Sequence, residues 1–323
     1  MSFDDKTYPR VVAVGEALID MIQQVDGAFQ PVPGGCPLNT AVAVARQGIS
    51  SSIITPISKD SFGDMLMDHM RNSNVDTSLV NITEVPTTLA FATLDFAGHA
   101  QYTFYIDGCS QSVWNSVDIH DDVVDGNIIT VSGSFALGSE SMADYFDSLF
   151  KQIKSQDKST LIFDPNVRAA VINDRPNSAI DNFDRWIKQA TIVKASDEDL
   201  EWRYPERSPE DIAHELVTEH GVSLVVITLG EKGAYACTSE IFTRKSAPQI
   251  SVVDTVGAGD SFNAGLIAGL IETGKYMPED IKTLTKEELD KAIDLAIKLS
   301  SDTCRREGAD SPYADETPYL EDN

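Results

Sequence analysis

Residues 127–166, NIITVSGSFALGSESMADYFDSLFKQIKSQDKSTLIFDPN, contain the repeating unit that decides the fold class. The stretch predicts a strand over 127–133, a helix over 139–155 and a second strand over 159–166. Strands that alternate with helices at this spacing are typical of a parallel sheet with helices on its faces. We therefore start from an α/β architecture and extend it in both directions.

The same alternation continues on both sides of this unit. Toward the C-terminus it predicts a helix over 180–189 and strands over 191–196 and 223–230. Toward the N-terminus, the β-branched run that opens Arg10–Met21 predicts one buried parallel strand, and the alanine-rich Asn39–Gln47 predicts a buried helix. We expect a single domain over residues 1–323, with a doubly wound, mainly parallel sheet flanked by helices.

Two segments differ from this pattern. In TTLAFATLDFAGHAQYTFYI, residues 87–106, bulky residues alternate about a turn at 97–99, which indicates a half-exposed antiparallel hairpin. A second hairpin is predicted around Asp26–Gly27. Together the segments 18–33 and 86–107 could form a small separate sheet that acts as a lid, or else an edge extension or dimer surface.

Composition limits the function classes. The chain has 323 residues, 42% hydrophobic, with 25 basic and 51 acidic side chains and a net charge of −26. A field of this sign repels nucleic acid and anionic membranes. No apolar run is long enough for a membrane helix, and the acidic start MSFDDKTYPR is unlike a secretory signal, so we expect a cytoplasmic protein. The four cysteines are far apart and predict free thiols.

Charged and polar residues follow several predicted strands. They are Asp20, taken here as the end of the first strand, Asp164 and Arg168, Lys194, and the acids at 197–199. In open α/β sheets, ligands bind beyond the carboxyl ends of the strands. These residues therefore predict a site along one rim of the sheet.

The segment DTVGAGDSFNAGL, residues 254–266, places small residues before an apolar helical pattern. Backbone N–H groups of Gly257, Ala258 and Gly259 at a helix N-terminus would form an anion cradle. Asp260 beside that cradle is badly placed to bind a polyanion but well placed to remove a proton from an attacking hydroxyl. The alternative is that Asp260 is an ordinary helix N-cap.

Two glycine motifs are only near-matches to nucleotide-binding fingerprints. GLIETGKY, residues 269–276, has Tyr276 where a P-loop needs Ser or Thr, and it ends a helix. GAGDSF lacks the third glycine of a dinucleotide fingerprint. We expect neither a P-loop protein nor a Rossmann dehydrogenase.

Two motifs together carry a family resemblance. DTVGAGDSF resembles the C-terminal signature of the PfkB or ribokinase-like carbohydrate kinases, and PGGCPLNTAVAVARQG, residues 33–48, resembles their N-terminal G-G-x-x-x-N signature. The resemblance runs from about residue 10 to 313. GEALIDMI, FDPNVR and TLGEKGA are similar to the fructokinase branch in particular.

The resemblance implies a ribokinase-like fold with a small antiparallel β-sheet lid, and ATP-dependent phosphorylation of a sugar hydroxyl. It implies Mg²⁺, ATP as co-substrate, a monovalent cation such as K⁺, and a homodimer formed through the lid. The implied site residues are Asp260 as catalytic base; Gly257, Ala258 and Gly259 as anion hole; Asp20, Gly34, Gly35, Asn39 and Arg168 for the sugar; Lys194, Ser196, Thr228, Gly230 and Gly233 for the nucleotide; and Asp199 for the metal. Ser196 replaces the Asn of the family's N-x-x-E element, to which Asp199 corresponds.

Two departures from the family pattern leave the identity of the acceptor and of the nucleotide open. Ile106 stands in TFYID where many relatives have Arg, which leaves fructose, another ketose, a keto-deoxy sugar acid and a nucleoside as alternatives. The adenine-side segment KLSSDTCRREGADSP, residues 298–312, is bulkier and more polar than usual, so the nucleotide preference is open too. A ribokinase-like kinase for another polyol and a non-catalytic sugar-binding protein are the competing hypotheses.

Overall fold

The computed structural model describes residues 9–94, 100–172 and 175–316. The strands are β1 Val11–Val14, β2 Leu18–Gln23, β3 Phe29–Gly34, β4 Ser51–Ile54, β5 Pro56–Ser58, β6 Asn81–Thr83, β7 Leu89–Leu94, β8 Ala100–Tyr105, β9 Ile128–Ser132, β10 Thr160–Asp164, β11 Ile192–Ser196, β12 Leu224–Thr228, β13 Ala234–Cys237 and β14 Phe242–Lys245. The helices are α1 Cys36–Arg46, α2 Ser61–Asn72, α3 Glu140–Gln156, α4 Ala169–Ile172, α5 Pro176–Ile187, α6 Asp197–Arg203, α7 Pro209–Thr218, α8 Ala258–Glu272, α9 Pro278–Ile281 and α10 Lys286–Thr303.

The larger sheet has the strand order β14-β13-β12-β11-β10-β9-β1-β4. Its pairs from β4 to β12 are all parallel, and β13 and β14 extend it as an antiparallel edge. The predicted unit 127–166 appears as β9, α3 and β10. The expected mainly parallel sheet is confirmed.

Apolar residues bury both faces of the larger sheet, because successive side chains of a strand point to opposite faces. Val12 and Ile129 join a core with α3, α5 and α7, whereas Val11 and Ile128 join a second core with α1, α8 and α10. This double burial explains why the central strands are continuous apolar runs instead of alternating ones. Helices therefore cover both faces, as the doubly wound architecture requires.

A smaller sheet stands apart from the larger one, with the order β3-β2-β7-β8. It is built from the two segments that the sequence set apart, 18–33 and 86–107. Two of its pairings are antiparallel, but β2 and β7 run parallel, so the smaller sheet is mixed. The turn predicted at 97–99 lies outside the described residues, and the function of this sheet as a lid stays a prediction.

The single strand predicted over Arg10–Met21 is wrong, because the chain leaves the larger sheet at Gly15. Gly15 has a φ of 145°, and a Cβ there would lie 2.5 Å from a side-chain carbon of Pro37. After this break β2 pairs with β3, so Asp20 belongs to the smaller sheet and does not end the first strand. Apolar residues on both sides of Gly15 and Glu16 gave the appearance of one strand.

The four cysteines all fall within the described residues and are free thiols, as expected. In the part of the chain that the structure describes, we find no helix with both the length and the apolar character needed to cross a membrane.

Candidate active site

Helix α8 begins where the carboxyl ends of the central strands meet. Its N-cap is Gly257, in the left-handed conformation with a φ of 76°, and no side chain caps this end. Asp260 is the third residue of the helix, so the alternative that it serves as N-cap is wrong. The N–H of Ala258 donates to the carbonyl oxygen of Thr255 at 3.2 Å, whereas the N–H of Gly259 has no partner within the helix and remains available to an anion.

Asp260 is held by a residue from a distant part of the chain. It is 9% exposed, and its Oδ2 accepts a hydrogen bond of 2.9 Å from Nδ2 of Asn39 on α1. Burial raises the pKa of the Cys36 thiol well above its usual value, as do the charge of Asp260 and a hydrogen bond to it. The two signature motifs thus meet at one carboxylate, with Asn39 beside the predicted base.

The predicted sugar residues surround the start of α1. Asp20 on β2 lies against Gly34 so closely that a Cβ at Gly34 would overlap its carboxylate. Gly35 is the N-cap of α1 with a φ of 111°. Burial raises the pKa of Asp20 to about 6, while the positive charge of exposed Arg168 acts against this rise. The guanidinium group of Arg168 is thus close enough to Asp20 to favour its ionised form.

A cleft of about 1230 Å³ opens beside the N-terminus of α8. It is lined by every residue that the sequence assigned to the nucleotide, together with part of the anion cradle and the predicted metal ligand: Lys194, Ser196, Thr228, Gly230, Gly233, Ala258, Gly259 and Asp199. Arg168 lines it as well. Residues from the ends of three neighbouring strands therefore meet in one cavity large enough for a nucleotide.

A buried ion pair forms the floor of this cleft. Nζ of Lys194 donates to Oδ2 of Asp164 at 2.7 Å, and the two side chains are 5% and 3% exposed. Burial raises the pKa of Asp164 to about 6, against the opposing effect of Lys194. For Lys194, burial favours the neutral form, but Asp164 together with the nearby Cys36 and Asp199 outweighs this effect and raises the pKa to about 12. The pair is ionised at neutral pH.

Asp199 is engaged mainly in holding the backbone. Its Oδ1 accepts from the backbone N–H of Val167 at 2.7 Å, and its Oδ2 accepts from both the N–H and the hydroxyl of Ser196. The Ser196 hydroxyl also accepts from the Asp199 N–H, which completes a capping box on α6. The prediction that Asp199 binds the metal stays a prediction, with one lone pair of Oδ1 left over.

Sequence reasoning gave no role to Glu16, which follows the break after β1. Glu16 is 2% exposed, and its Oε2 has no hydrogen-bond partner among the described residues. Burial raises its pKa to about 7, despite hydrogen bonds from its own N–H and from Ser134 and the nearby charge of Arg168. GEALIDMI contains this residue, but no local feature of that segment indicates burial of the carboxyl.

We expect Glu16→Gln to stabilise the protein at pH 8 and to leave it nearly unchanged at pH 4. Below pH 4.5 the carboxyl is protonated in both states. Between pH 4.5 and about 7 the carboxyl of Glu16 ionises in the unfolded chain but stays protonated in the folded protein. The free energy of unfolding therefore falls as the pH rises. Glutamine cannot ionise, so the free energy of unfolding of the variant at pH 8 should exceed that of the parent by about 1–3 kcal/mol. Urea unfolding at both pH values measures it.

Glu279→Gln is the control for this experiment, because Glu279 is an exposed carboxylate paired with Lys282 on the surface. It should show no comparable gain at pH 8. If Glu16→Gln were less stable than the parent at pH 8, the ionised carboxylate would be stabilising and our assignment of its energetics would be wrong.

A second, more open cavity of about 1500 Å³ lies between β8 and the start of α3. Its lining includes Tyr105, Ile106 and Arg175 but none of the site residues predicted from the motifs. The residues that the sequence assigned to the site therefore line the smaller cleft or lie at or next to the starts of α1 and α8, and none of them lines this second cavity.

Comparison with known proteins agrees with the motifs and the fold. A family model described as pfkB family carbohydrate kinase matches residues 9–316. A fructokinase of Rhizobium leguminosarum bv. trifolii is 33% identical over 283 residues, which cover 86% of this chain and 85% of that protein. The structure of a Xylella fastidiosa fructokinase with bound ATP has a TM-score of 0.84 at 22% identity and covers 93% of both chains.

A double mutant of Vibrio cholerae O395 fructokinase, solved with fructose, ADP and potassium ion, has a TM-score of 0.80 at 24% identity. The match covers 93% of this chain and 94% of that one. At these identities the two structures support the ribokinase-like fold alone. The family model and the Rhizobium relative both span most of the sequence, and the chain belongs to the pfkB family of carbohydrate kinases.

Proposed function

We propose that the protein is a fructokinase, which transfers the γ-phosphoryl group of ATP to a hydroxyl of fructose. The observation that carries this proposal is the position of Asp260. Its carboxylate is buried and bonded to Asn39, and it lies in the first turn of α8 next to Gly259, which lines the cleft. Asn39 is on α1, and Asp20 lies against Gly34 just before that helix, so a base at Asp260 would stand between the nucleotide and the residues proposed for the sugar, as transfer between two substrates requires.

In the proposed reaction Asp260 accepts the proton of the attacking sugar hydroxyl. The hydroxyl oxygen forms a bond to the γ-phosphorus while the bond from that phosphorus to the β,γ-bridging oxygen breaks, which releases ADP. Asn39 keeps the carboxylate oriented through the 2.9 Å hydrogen bond. Asp260 then holds the proton until it is released to solvent.

The positive groups of the cleft would stabilise the charge on the transferred group. Lys194, Arg168 and the N–H of Gly259 at the start of α8 are the candidates, because phosphoryl transfer depends on positioning and electrostatic stabilisation. A Cβ at Gly259 would lie 3.2 Å from Nζ of Lys194, so the ammonium group is close to the helix N-terminus. These groups offset locally the net charge of −26.

ATP is the proposed phosphoryl donor, Mg²⁺ the proposed divalent cation and K⁺ a proposed monovalent cofactor. The Xylella protein was solved with ATP, and the Vibrio protein with ADP and potassium ion, which supports this choice by analogy. When bound, the divalent cation would neutralise charge on the phosphate oxygens.

The smaller sheet is proposed to close over the sugar and limit wasteful hydrolysis of ATP. The face of this sheet opposite Asp20 carries Phe91 in contact with both Phe29 and Tyr105, and Tyr105 is 58% exposed. Such a surface supports the proposal of a homodimer formed through this sheet. A cytoplasmic location remains our expectation from the sequence.

Turnover across a panel of acceptors tests the proposed function. ADP release would be measured with ATP and fructose, tagatose, ribose, adenosine or 2-keto-3-deoxygluconate. We expect the highest kcat/KM for fructose. A higher value for another acceptor would support a ribokinase-like kinase for a different polyol, and no turnover with any of them would support a non-catalytic sugar-binding protein. Ile106, which stands where many relatives have Arg, packs against the hydrophobic core. Its side chain offers no polar contact by which the protein could distinguish one sugar from another.

Asp20→Ala should raise the KM for the sugar by about 10- to 100-fold, because a charged acceptor of sugar hydroxyl groups is lost. The KM for ATP and the kcat should change little, since Asp20 is on the smaller sheet and does not line the cleft. Steady-state kinetics with each substrate varied in turn measures both effects.

Asp26→Ala is the matched control in the same hairpin. Asp26 is exposed and accepts a hydrogen bond from the N–H of Ala28 in the turn. This variant should leave both KM values near those of the parent. A change confined to ATP affinity in Asp20→Ala would show that the pocket is wrongly assigned.

A further inference from the structure

One carboxylate oxygen of Asp164, a residue that lines the cleft, has no hydrogen-bond partner among the described residues. This oxygen, Oδ1, is buried, although Oδ2 is paired with Lys194. A buried carboxylate oxygen without a donor is unfavourable, and in native proteins it commonly marks the place of a water molecule or ion.

The carboxylate that the sequence assigned to the metal, Asp199, lacks this freedom. Three hydrogen bonds from the protein already converge on the two oxygens of Asp199, and they fix the start of α6. A cation that displaced them would disturb this structure. Asp164 needs no such change, because its free oxygen belongs to a side chain already held in place by Lys194.

The position of Asp164 also suits a cation that accompanies a nucleotide. Its partner Nζ lies near Gly259 at the N-terminus of α8, so Asp164 is within the region where the phosphates would bind. The charges of Asp199 and Asp260 act on Asp164 as well and increase the attraction of this region for a cation.

The donor set fits magnesium in particular. Mg²⁺ prefers oxygen ligands and is usually bound through one or two carboxylates, water and substrate phosphates. Among residues 9–94, 100–172 and 175–316 we find no group of three acidic, histidine or cysteine side chains that could hold a metal unaided. We infer that Asp164, rather than Asp199, is the carboxylate that holds the divalent cation of the nucleotide complex, directly or through water; this rests on the proposed use of ATP.

Calorimetric titration with ADP, in the absence of sugar, tests this inference. The affinity is measured with Mg²⁺ and again with EDTA, and the ratio of the two values is the readout. We expect the parent to bind ADP more tightly with Mg²⁺. In Asp164→Asn this ratio should fall by about 10- to 100-fold. In Asp199→Asn it should stay near the parental value, although the loss of the capping box lowers the thermal midpoint.

The inference is overturned if Asp164→Asn keeps the parental ratio, if Asp199→Asn loses it, or if the parent binds ADP equally well with and without Mg²⁺. Because no sugar is present, the result is independent of the acceptor. A protein that phosphorylates no sugar but shows the expected ratios would refute the proposed function and leave the cation site standing.

Folding of Asp164→Asn is checked by circular dichroism. If it does not fold, Asp164→Asn combined with Lys194→Met removes both buried charges and is measured in the same way.

A crystal structure of the unaltered protein with Mn²⁺ and ADP provides an independent test. The anomalous peak should lie about 2 Å from Asp164 Oδ1, or about 4 Å through water, and farther from Asp199. A peak nearer to Asp199 would overturn the assignment.

Discussion

Asp260→Asn is expected to lower kcat by a factor of about 10²–10⁴, because an amide cannot accept the proton of the attacking hydroxyl. The fold should be little affected. Gly257 and not Asp260 is the N-cap of α8, and the asparagine can still accept the hydrogen bond from Asn39 through its carbonyl oxygen. Removing a negative charge from the first turn should cost about 0.3–1 kcal/mol. Turnover and urea unfolding are measured together, and ADP affinity should remain near the parental value.

Asp280→Asn is the control for the position of the charge in the helix. Asp280 is the third residue of α9, as Asp260 is of α8, and it accepts a hydrogen bond from the N–H of Met277 outside the site. This variant should lose a similar amount of stability and keep its turnover. An Asp260→Asn protein with nearly parental kcat would show that the carboxylate is not the base.

Much of the fold could be predicted because its causes are local. The central strands are continuous apolar runs because both faces are buried. β8 in the smaller sheet lacks such burial, since Tyr102 and Tyr105, which point to opposite faces, are 45% and 58% exposed. The break at Gly15 was missed because the apolar runs VVAV and ALI flank it, and the pair Gly15–Glu16 between them was interpreted as part of one strand instead of as the sign of a break. The antiparallel edge of β13 and β14 was not predicted either, because short edge strands have little pattern of their own.

The candidate site also has a part that local sequence predicts and a part that depends on tertiary packing. Asp260 and the residues of the cleft fall in short motifs, whose spacing fixes their place at the start of a helix or the end of a strand. The contact between Asn39 and Asp260 joins residues 221 positions apart, and no local pattern shows such a contact. Asp164 was recognised at a strand end, but its burial and its pairing with Lys194 depend on the packing of β10 against β11 and α8.

Lys194→Met is expected to lower the free energy of unfolding by about 3–5 kcal/mol at pH 8, because it leaves the carboxylate of Asp164 buried without a counter-ion. The loss should be smaller at pH 5. Burial already raises the pKa of Asp164 to about 6, and removal of Lys194 raises it further, so at pH 5 the folded protein holds this carboxyl neutral. Stability is therefore lost as the pH rises through the folded pKa. Urea unfolding at the two pH values measures the difference.

Two variants test whether the loss of stability comes from the unpaired carboxylate of Asp164 and not from the removal of a lysine as such. Lys286→Met breaks an exposed pair with Asp290 on α10 and should cost less than about 1 kcal/mol at either pH. Lys194→Met combined with Asp164→Leu removes both buried charges and should recover most of the stability at pH 8, since an apolar pair can replace a buried ion pair. ADP affinity measured in EDTA, where no divalent cation contributes, should remain below the parental value in the double variant, because the ammonium group near Gly259 is still missing. If stability and ADP affinity recovered together, Lys194 would serve only to neutralise Asp164, and the phosphates would depend on Arg168 and the N-terminus of α8.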